Sequence, residues 1–479
     1  MSRNLSTPAK SSAWGELLSG RNGLRTIALC GGVAVHAINV YIVTTIMPSV
    51  VRDIGGISYY AWITSIFVAA SIIGSTLSVR LIEQLGLRSG YLLAIFIFIL
   101  GSAFSAMAPS MPWLLVGRAI QGLGGGVMLG LSYASVRLIF KPHLWSRVMA
   151  LISTMWGVST LMGPAVGGLF AEHGAWRMAL WSTVPVALVV AFLVLSQIPQ
   201  RAEGSKALPK SEVPFFKILL LSFSVIVLSL GSLGDSWALR IASLVGVVLI
   251  LFFIARSDLN SENPLFPTGL YSLKHPIGAL FSGVVLLTLG VTTEVFIPYF
   301  LEHIHELRPL IAGYMAALMS AGWTIGSLLT AGRSTQTVNK LMIVSPMLSG
   351  VCLLILGLLM PWYALSHEYH AVWLMVIPLL GIGMGVGMSW AHVLSRILIA
   401  ADKGQESQSS SAITTVQLYA VSLGTALGGM IVAAAGFNRG DLLGAQSASA
   451  ALLISFAVFP FIFVLISKAA RELTVNKST

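Results

Sequence analysis

Gly163-Pro164-Ala165-Val166-Gly167-Gly168 sits inside an apolar run of the chain, 148–170, that is long enough to cross a membrane. Crossing about 30 Å of hydrocarbon takes roughly 20 apolar residues in a helix. One run earlier, 112–136 carries Arg118-Ala119-Ile120-Gln121-Gly122. Outward from these two, further apolar runs lie near 26–49, 59–79, 91–108, 178–198, 215–233, 237–255, 277–301, 309–332, 341–361, 371–395, 411–436 and 446–467. The sequence therefore predicts an all-α, multi-pass membrane protein with 14 transmembrane helices.

Composition points the same way. The 479 residues are 56% hydrophobic and 9% charged, whereas a soluble domain carries about a quarter charged residues. No length remains for a sizeable soluble domain. Residues 1–25 are polar and the first apolar run is too long for a signal core, so no cleavable signal peptide is expected. The net charge of +11 does not mark a nucleic-acid surface, because of where it lies. Of the 28 Lys and Arg, 22 fall in the two tails and the connections on their side, while Arg52, Arg177, Arg240, Arg308 and Arg439 fall on the other. That asymmetry predicts cytoplasmic termini. Cys30 and Cys352 both fall within spans and read as buried, reduced thiols.

The expected organisation is a cytoplasmic tail (1–25), six helices (26–198), a cytoplasmic linker (199–214, with Arg201, Lys206 and Lys210), two extra helices (215–255), a second cytoplasmic linker (256–275), six helices (276–467) and a cytoplasmic tail (468–479). Two six-helix halves suit a machine that rocks around a central site.

Arg118 is the only Lys or Arg well inside a span. A cation there costs about 2.5–3.5 kcal/mol on insertion scales, so it needs a partner or a function. Gln121 follows one turn on, and Gly122, Gly124, Gly125 and Gly126 let another helix pass close. The plainer alternative is an arginine that caps carbonyls of a neighbouring helix. In the next span Gly157, Gly163, Gly167 and Gly168 permit close contact, and Pro164 removes one helical hydrogen bond, as a conformational hinge would need. Glu294, four residues before Pro298, is the only acid well within a span. It is a candidate for proton coupling and could pair with Arg118; its plainer reading is an acid reaching the interface beside Glu302 and Glu306. His36, Asn39 and Tyr41 form a polar patch in the first span, with His36 either titrating, as a proton-coupling candidate, or hydrogen-bonded in the interior. Trp62, Trp156, Trp323 and Trp390 either line a cavity for a planar solute or serve as core and anchors. Glu302, His303, His305 and Glu306 read as a solvated outer turn rather than metal ligands. Gly383-Met-Gly385-Val-Gly387 joins no strand to a helix and no GxxxxGK[ST] is present, so no nucleotide-driven pumping and no cofactor is expected.

Over nearly its full length the chain resembles the major facilitator superfamily, in particular its fourteen-span drug:proton antiporter branch. Arg118-Ala-Ile-Gln121-Gly122-Leu-Gly124-Gly125-Gly126 is similar to that family's span-four motif, and the resemblance implies proton coupling for the arginine. Gly157 through Gly168 resembles the span-five antiporter motif. Trp176-Arg177 with Pro185, Pro264-Leu265-Phe266-Pro267 and Pro298-Tyr299-Phe300-Leu301 resemble the start of span six and the two ends of span nine. Two departures bear on substrate. Asn39 stands where the family's span-one motif has an aspartate, and the inner-loop motif retains only Glu83, Gly86 and Arg88, the candidate inner gate. The first two spans also resemble bacterial facilitators of vitamin uptake, riboflavin in particular. The implied function is secondary transport of a small planar organic solute by alternating access, carried out by a monomer among membrane lipids and without enzymatic activity. Uptake of a vitamin such as riboflavin is favoured by Asn39, and proton-coupled efflux of drugs is the alternative.

Overall fold

A computed structural model describes residues 13–200, 214–362, 372–401 and 405–475. Most of the expected 199–214 linker, with Arg201, Lys206 and Lys210, lies outside the described residues, as do the outermost parts of both expected tails. Among the described residues all regular structure is helical, and 13 helices are long and apolar enough to cross a membrane. A shorter apolar helix brings the number to the 14 expected. In chain order they are α1 (Gly20–Ile54), α2 (Tyr60–Leu85), α3 (Leu87–Ala106), α4 (Met111–Ile139), α5 (Trp145–Glu172), α6 (Trp176–Gln197), α7 (Phe215–Leu230), α8 (Trp237–Leu259), α9 (Pro276–His305), α10 (Pro309–Thr330), α11 (Thr335–Leu359), α12 (Trp373–Ala400), α13 (Glu406–Ala434) and α14 (Leu442–Ser467). The short one is α7, with 16 residues. It ends before the expected 233 because the chain leaves the helix at Gly231 and continues as turns through Leu233.

An even number of crossings returns the chain to the end of the bundle where it began. That end is called near, and the opposite end far. The connections are tight where the residues allow it. Gly86 adopts φ +79°, a left-handed conformation open to glycine, so α3 starts directly after α2. Asp441 caps α14 by accepting from the Gly444 N–H at 2.7 Å.

Helices α1 to α6 pack on one another, as do α9 to α14. The two groups meet along two seams, α5 against α10 and α2 against α13. Helix α7 packs on both α2 and α13, and α8 packs chiefly on α7. Trp62 of α2 fastens this insertion: its indole N–H donates to the Ser229 carbonyl and the Ser232 hydroxyl, both at 3.0 Å. At the near end Lys217 pairs with Asp258 at 2.8 Å, and Asp258 also accepts from the Leu265 and Phe266 N–H groups and from Tyr271. The Pro264 carbonyl accepts from Gln408 at the start of α13. The second linker is thus a docked segment that ties α8 to α13.

The seams close at the far end. Arg52 of α1 pairs with Glu302 of α9 at 3.5 Å, and Arg308 with Glu172 of α5 at 2.8 Å. Tyr60 of α2 donates to the Val295 carbonyl and packs against Phe296, Tyr299 and Phe437. Glu302 and His305 are buried, and His305 Nε2 lies 2.9 Å from the Met360 carbonyl. This corrects the expectation of a solvated outer turn for Glu302 and His305, while His303 is half-buried and Glu306 is exposed.

Candidate functional site

Two polar centres lie between the ends of the bundle, one inside the first group of helices and one across the seam.

The first is built on Arg118, seven residues after Met111 at the far end of α4 and 1% exposed. The glycines after it explain how it can be enclosed. A Cβ at Gly122 or Gly126 would strike the carbonyls of Phe67 or Ser71 on α2, and one at Gly124 would strike Phe98 of α3. The absence of side chains there lets α2 and α3 close around α4. The guanidinium donates to Asn39 Oδ1 at 2.7 Å, to Gln121 Oε1 and to the Ile63 carbonyl at 3.3 Å, and lies 4.0 Å from the centre of the Phe67 ring. Gln121 passes the chain on to Ser102 at 2.7 Å, and Thr183 donates to Ser102. Every partner in this network is neutral. His36 lies beside Phe67 and Trp156, with ring centroids 5.2 and 6.1 Å away. Its Nδ1 and the Asn39 Nδ2 have no hydrogen-bond partner among the described residues.

The second centre holds Glu294. Pro298 has no N–H to give to the Glu294 carbonyl four residues earlier, so α9 tightens into a 3-10 turn over Thr292–Phe296, closed by the Ile297 N–H onto that carbonyl. The tightened turn places Glu294, half-buried, toward α10, where Ser320 donates to its carboxylate at 3.2 Å. The Ser320 hydroxyl also lies 3.0 Å from the Tyr41 hydroxyl of α1. Tyr41, Ser320 and Glu294 thus form a hydrogen-bonded chain from one half to the other.

Helix α5 stays continuous through Pro164, with its glycines against two neighbours. A Cβ at Gly163 or Gly167 would meet Tyr41, Ile42 and Thr45 of α1, and one at Gly168 would meet Leu310 of α10. Pro164 faces Gly313 of α10. Gly157 lies two turns nearer on the same face as Pro164, yet nothing comes within 4 Å of a Cβ there. The seam between α5 and α10 is therefore packed at its far end, while α5 meets no neighbour at Gly157 toward the near end.

The structure separates the sequence candidates. Arg118, Gln121, Asn39 and His36 share one centre, and Glu294 shares the other with Tyr41. The Arg118–Glu294 pair that the sequence allowed does not form: neutral groups hold the arginine, and Ser320 takes the acid. Trp62 is engaged by α7 and the turn after it rather than by a cavity. Gly157 is not a close-packing position. Trp323 and Trp390 pack edge to face at 4.8 Å, with Gly383 and Gly387 of α12 fitted against the α10 backbone. The inner-loop residues stay within their own half. Arg88 donates to the Ile198 carbonyl at 2.6 Å, Leu87 beside Gly86 donates to Gln200, and Glu83 is exposed. Sequence reading missed Ser320, one more serine on an apolar helix until a carboxylate and a phenol are placed beside it.

The chain matches the family model of the Major Facilitator Superfamily over residues 29–428. It is 30% identical over 434 residues to a Mycobacterium tuberculosis protein named "Probable multidrug-efflux transporter", covering 89% of this chain and 91% of that protein. It is 23% identical over 418 residues to "Multidrug resistance protein 3" of Bacillus subtilis, covering 85% and 78%. Among solved structures, a bacterial homologue of the human lysosomal transporter Spinster superposes with a TM-score of 0.64 at 14% identity, over 95% of this chain and 98% of that one. A D-xylose–proton symporter gives 0.61 at 13% identity, over 94% and 99%.

Proposed function

The chain belongs to the major facilitator superfamily, and from that premise we propose that it exports small organic compounds in exchange for protons. It is a multi-pass membrane transporter of the bacterial inner-membrane type and not an enzyme. The relatives are named for multidrug efflux, which reverses the order suggested by Asn39: efflux becomes the first reading and vitamin uptake the second.

The observation that carries the mechanism is the Tyr41–Ser320–Glu294 chain across the seam. In our reading the helices 26–198 and 276–467 act as two rocking bodies, both termini are cytoplasmic, and the protein works as a monomer. With the far end locked and α5 meeting no neighbour at Gly157 toward the near end, a solute reaches the centre from the cytoplasm. Tyr41, Trp156 and Trp323 offer it aromatic and hydrogen-bonding surface, Trp390 backs Trp323, and Asn39 and Gln121 steady Arg118 behind them. A proton taken by Glu294 weakens its hold on Ser320, and so the link to Tyr41, as the halves exchange. Arg118 and His36 keep the first centre polar without a carboxylate beside them, which admits neutral and weakly acidic solutes alongside cations. Pro164 and the glycines around it bend α5; Glu83, Gly86 and Arg88 brace the near end.

The test is accumulation of ethidium and of riboflavin in cells with and without the chain, before and after the proton gradient is collapsed. Lower ethidium, restored by the uncoupler, supports the proposal. Raised riboflavin with ethidium unchanged replaces it with uptake.

A further inference from the structure

The insertion creates a second feature that transport does not use. Between α8, α13 and α14, toward the far end, lies a crevice of about 420 Å³ lined by Trp237, Ile241, Leu244, Met430, Ile431 and Ala434, with Arg240 among them. Arg240 is 5% exposed. Its Nη2 donates to the Gly234 carbonyl at 3.1 Å, the exposed Asp235 carboxylate lies 3.7 Å away, and the Trp237 ring centre lies 5.0 Å away. Its Nε, though buried, has no hydrogen-bond partner among the described residues.

A buried donor left open on a cation is costly. Here the side chain that carries it lines an apolar crevice, three residues after Trp237 at the far end of a spanning helix, where aromatic residues meet lipid headgroups. We propose that this crevice is a binding site for an anionic phospholipid: Arg240 takes a phosphate oxygen through Nε, and an acyl chain fills the apolar groove between α8 and α13. The lining selects a lipid over a free anion, because apart from Arg240 and Ser455, whose hydroxyl donates back to the Leu452 carbonyl at 3.1 Å, the lining side chains are aliphatic or aromatic. The occupant wedges the extra helices against the second half.

The test uses the full chain, purified in detergent, with added phosphatidylglycerol, phosphatidylcholine or inorganic phosphate. Thermal unfolding and lipid retained in native mass spectrometry are the readouts. Phosphatidylglycerol is expected to be retained and to raise the midpoint, whereas phosphatidylcholine and phosphate are not. Arg240→Gln is expected to weaken retention by about tenfold, as loss of one charge-assisted hydrogen bond does. Should that variant fail to fold, Ala434→Trp fills the groove from an exposed position, leaves Arg240 intact and is expected to abolish retention as well. Equal retention of phosphatidylglycerol by wild type and Ala434→Trp overturns the proposal. So does equal retention of phosphatidylcholine, or an equal effect of phosphate alone, which would mark a simple anion site.

Discussion

Tyr41 and Glu294, on opposite halves of the protein, share one hydroxyl: Ser320 lies 3.0 Å from the Tyr41 phenol and donates to Glu294 at 3.2 Å. A proton gained or lost at the acid is therefore felt at the seam within two hydrogen bonds. Replacing Glu294 by Gln keeps the shape and removes the titration. Uncoupler-sensitive ethidium efflux should fall to the level of cells without the chain, while ethidium binding to the purified protein persists. Full efflux in Glu294→Gln would place coupling elsewhere. Tyr41→Phe, which cuts the chain at its other end, should slow efflux with a smaller effect on binding.

Arg118 is held by neutral acceptors, so its removal strands Asn39 and Gln121 in the interior. Arg118→Ala should cost about 1–3 kcal/mol for each buried group left unpaired, seen as a lower unfolding midpoint. Asn39→Asp makes the opposite change by setting a carboxylate against the guanidinium. It should fold at least as well and shift export toward cationic compounds, measured as the ratio of ethidium to neutral-dye efflux.

The glycines of α4 and α5 should respond unequally. Gly126→Val pushes its side chain into the Ser71 backbone, an overpacking costing about 1–3 kcal/mol or more, and should lower the yield of folded protein. Gly157→Ala meets open space and should express and fold like wild type. Equal damage from both would mean that α5 is closely packed at Gly157.

At the far end, the Glu302 side chain is 2% exposed and its partner Arg52 is 64% exposed. Arg52→Gln leaves the acid without its counter-charge and should favour opening of that end. Ala61, buried at the far end of α2, is a suitable reporter position. A single cysteine there should be labelled faster by a membrane-impermeant reagent when Arg52→Gln is added, and unchanged labelling would count against a lock at this pair.

Acid should loosen the short helix Ala13–Leu18 at the near end. Hydrogen bonds from His143 and Lys141 hold the Glu16 carboxyl below its ordinary value of 4.5. A depressed value means that the contact stabilises above the unfolded value and is lost as pH falls through the lower, folded one. Amide exchange in 14–18 should rise in that acid window, and Glu16→Gln should show the faster exchange already at neutral pH.

Much of the fold was legible because a membrane leaves little choice: every span must satisfy its own backbone, so long apolar runs become helices. Arg118 and Glu294 stood out for the same reason, as charges where charge is costly. Their partners did not. Spacing cannot tell that Asn39 occupies the arginine, or that Ser320 reaches the acid, because each contact joins two helices whose relative placement only packing sets. Trp62 and Trp390 look alike as letters; only packing assigns one to the insertion and the other to a tryptophan pair. The break in α9 was within reach of the sequence, since Pro298 stands four residues after Glu294.

The insertion leaves the molecule lopsided. Helix α7 lies along the seam between α2 and α13, while the seam between α5 and α10 has no such cover among the described residues. A compound dissolved in the bilayer would thus meet one flank caulked by an extra helix and one that is bare.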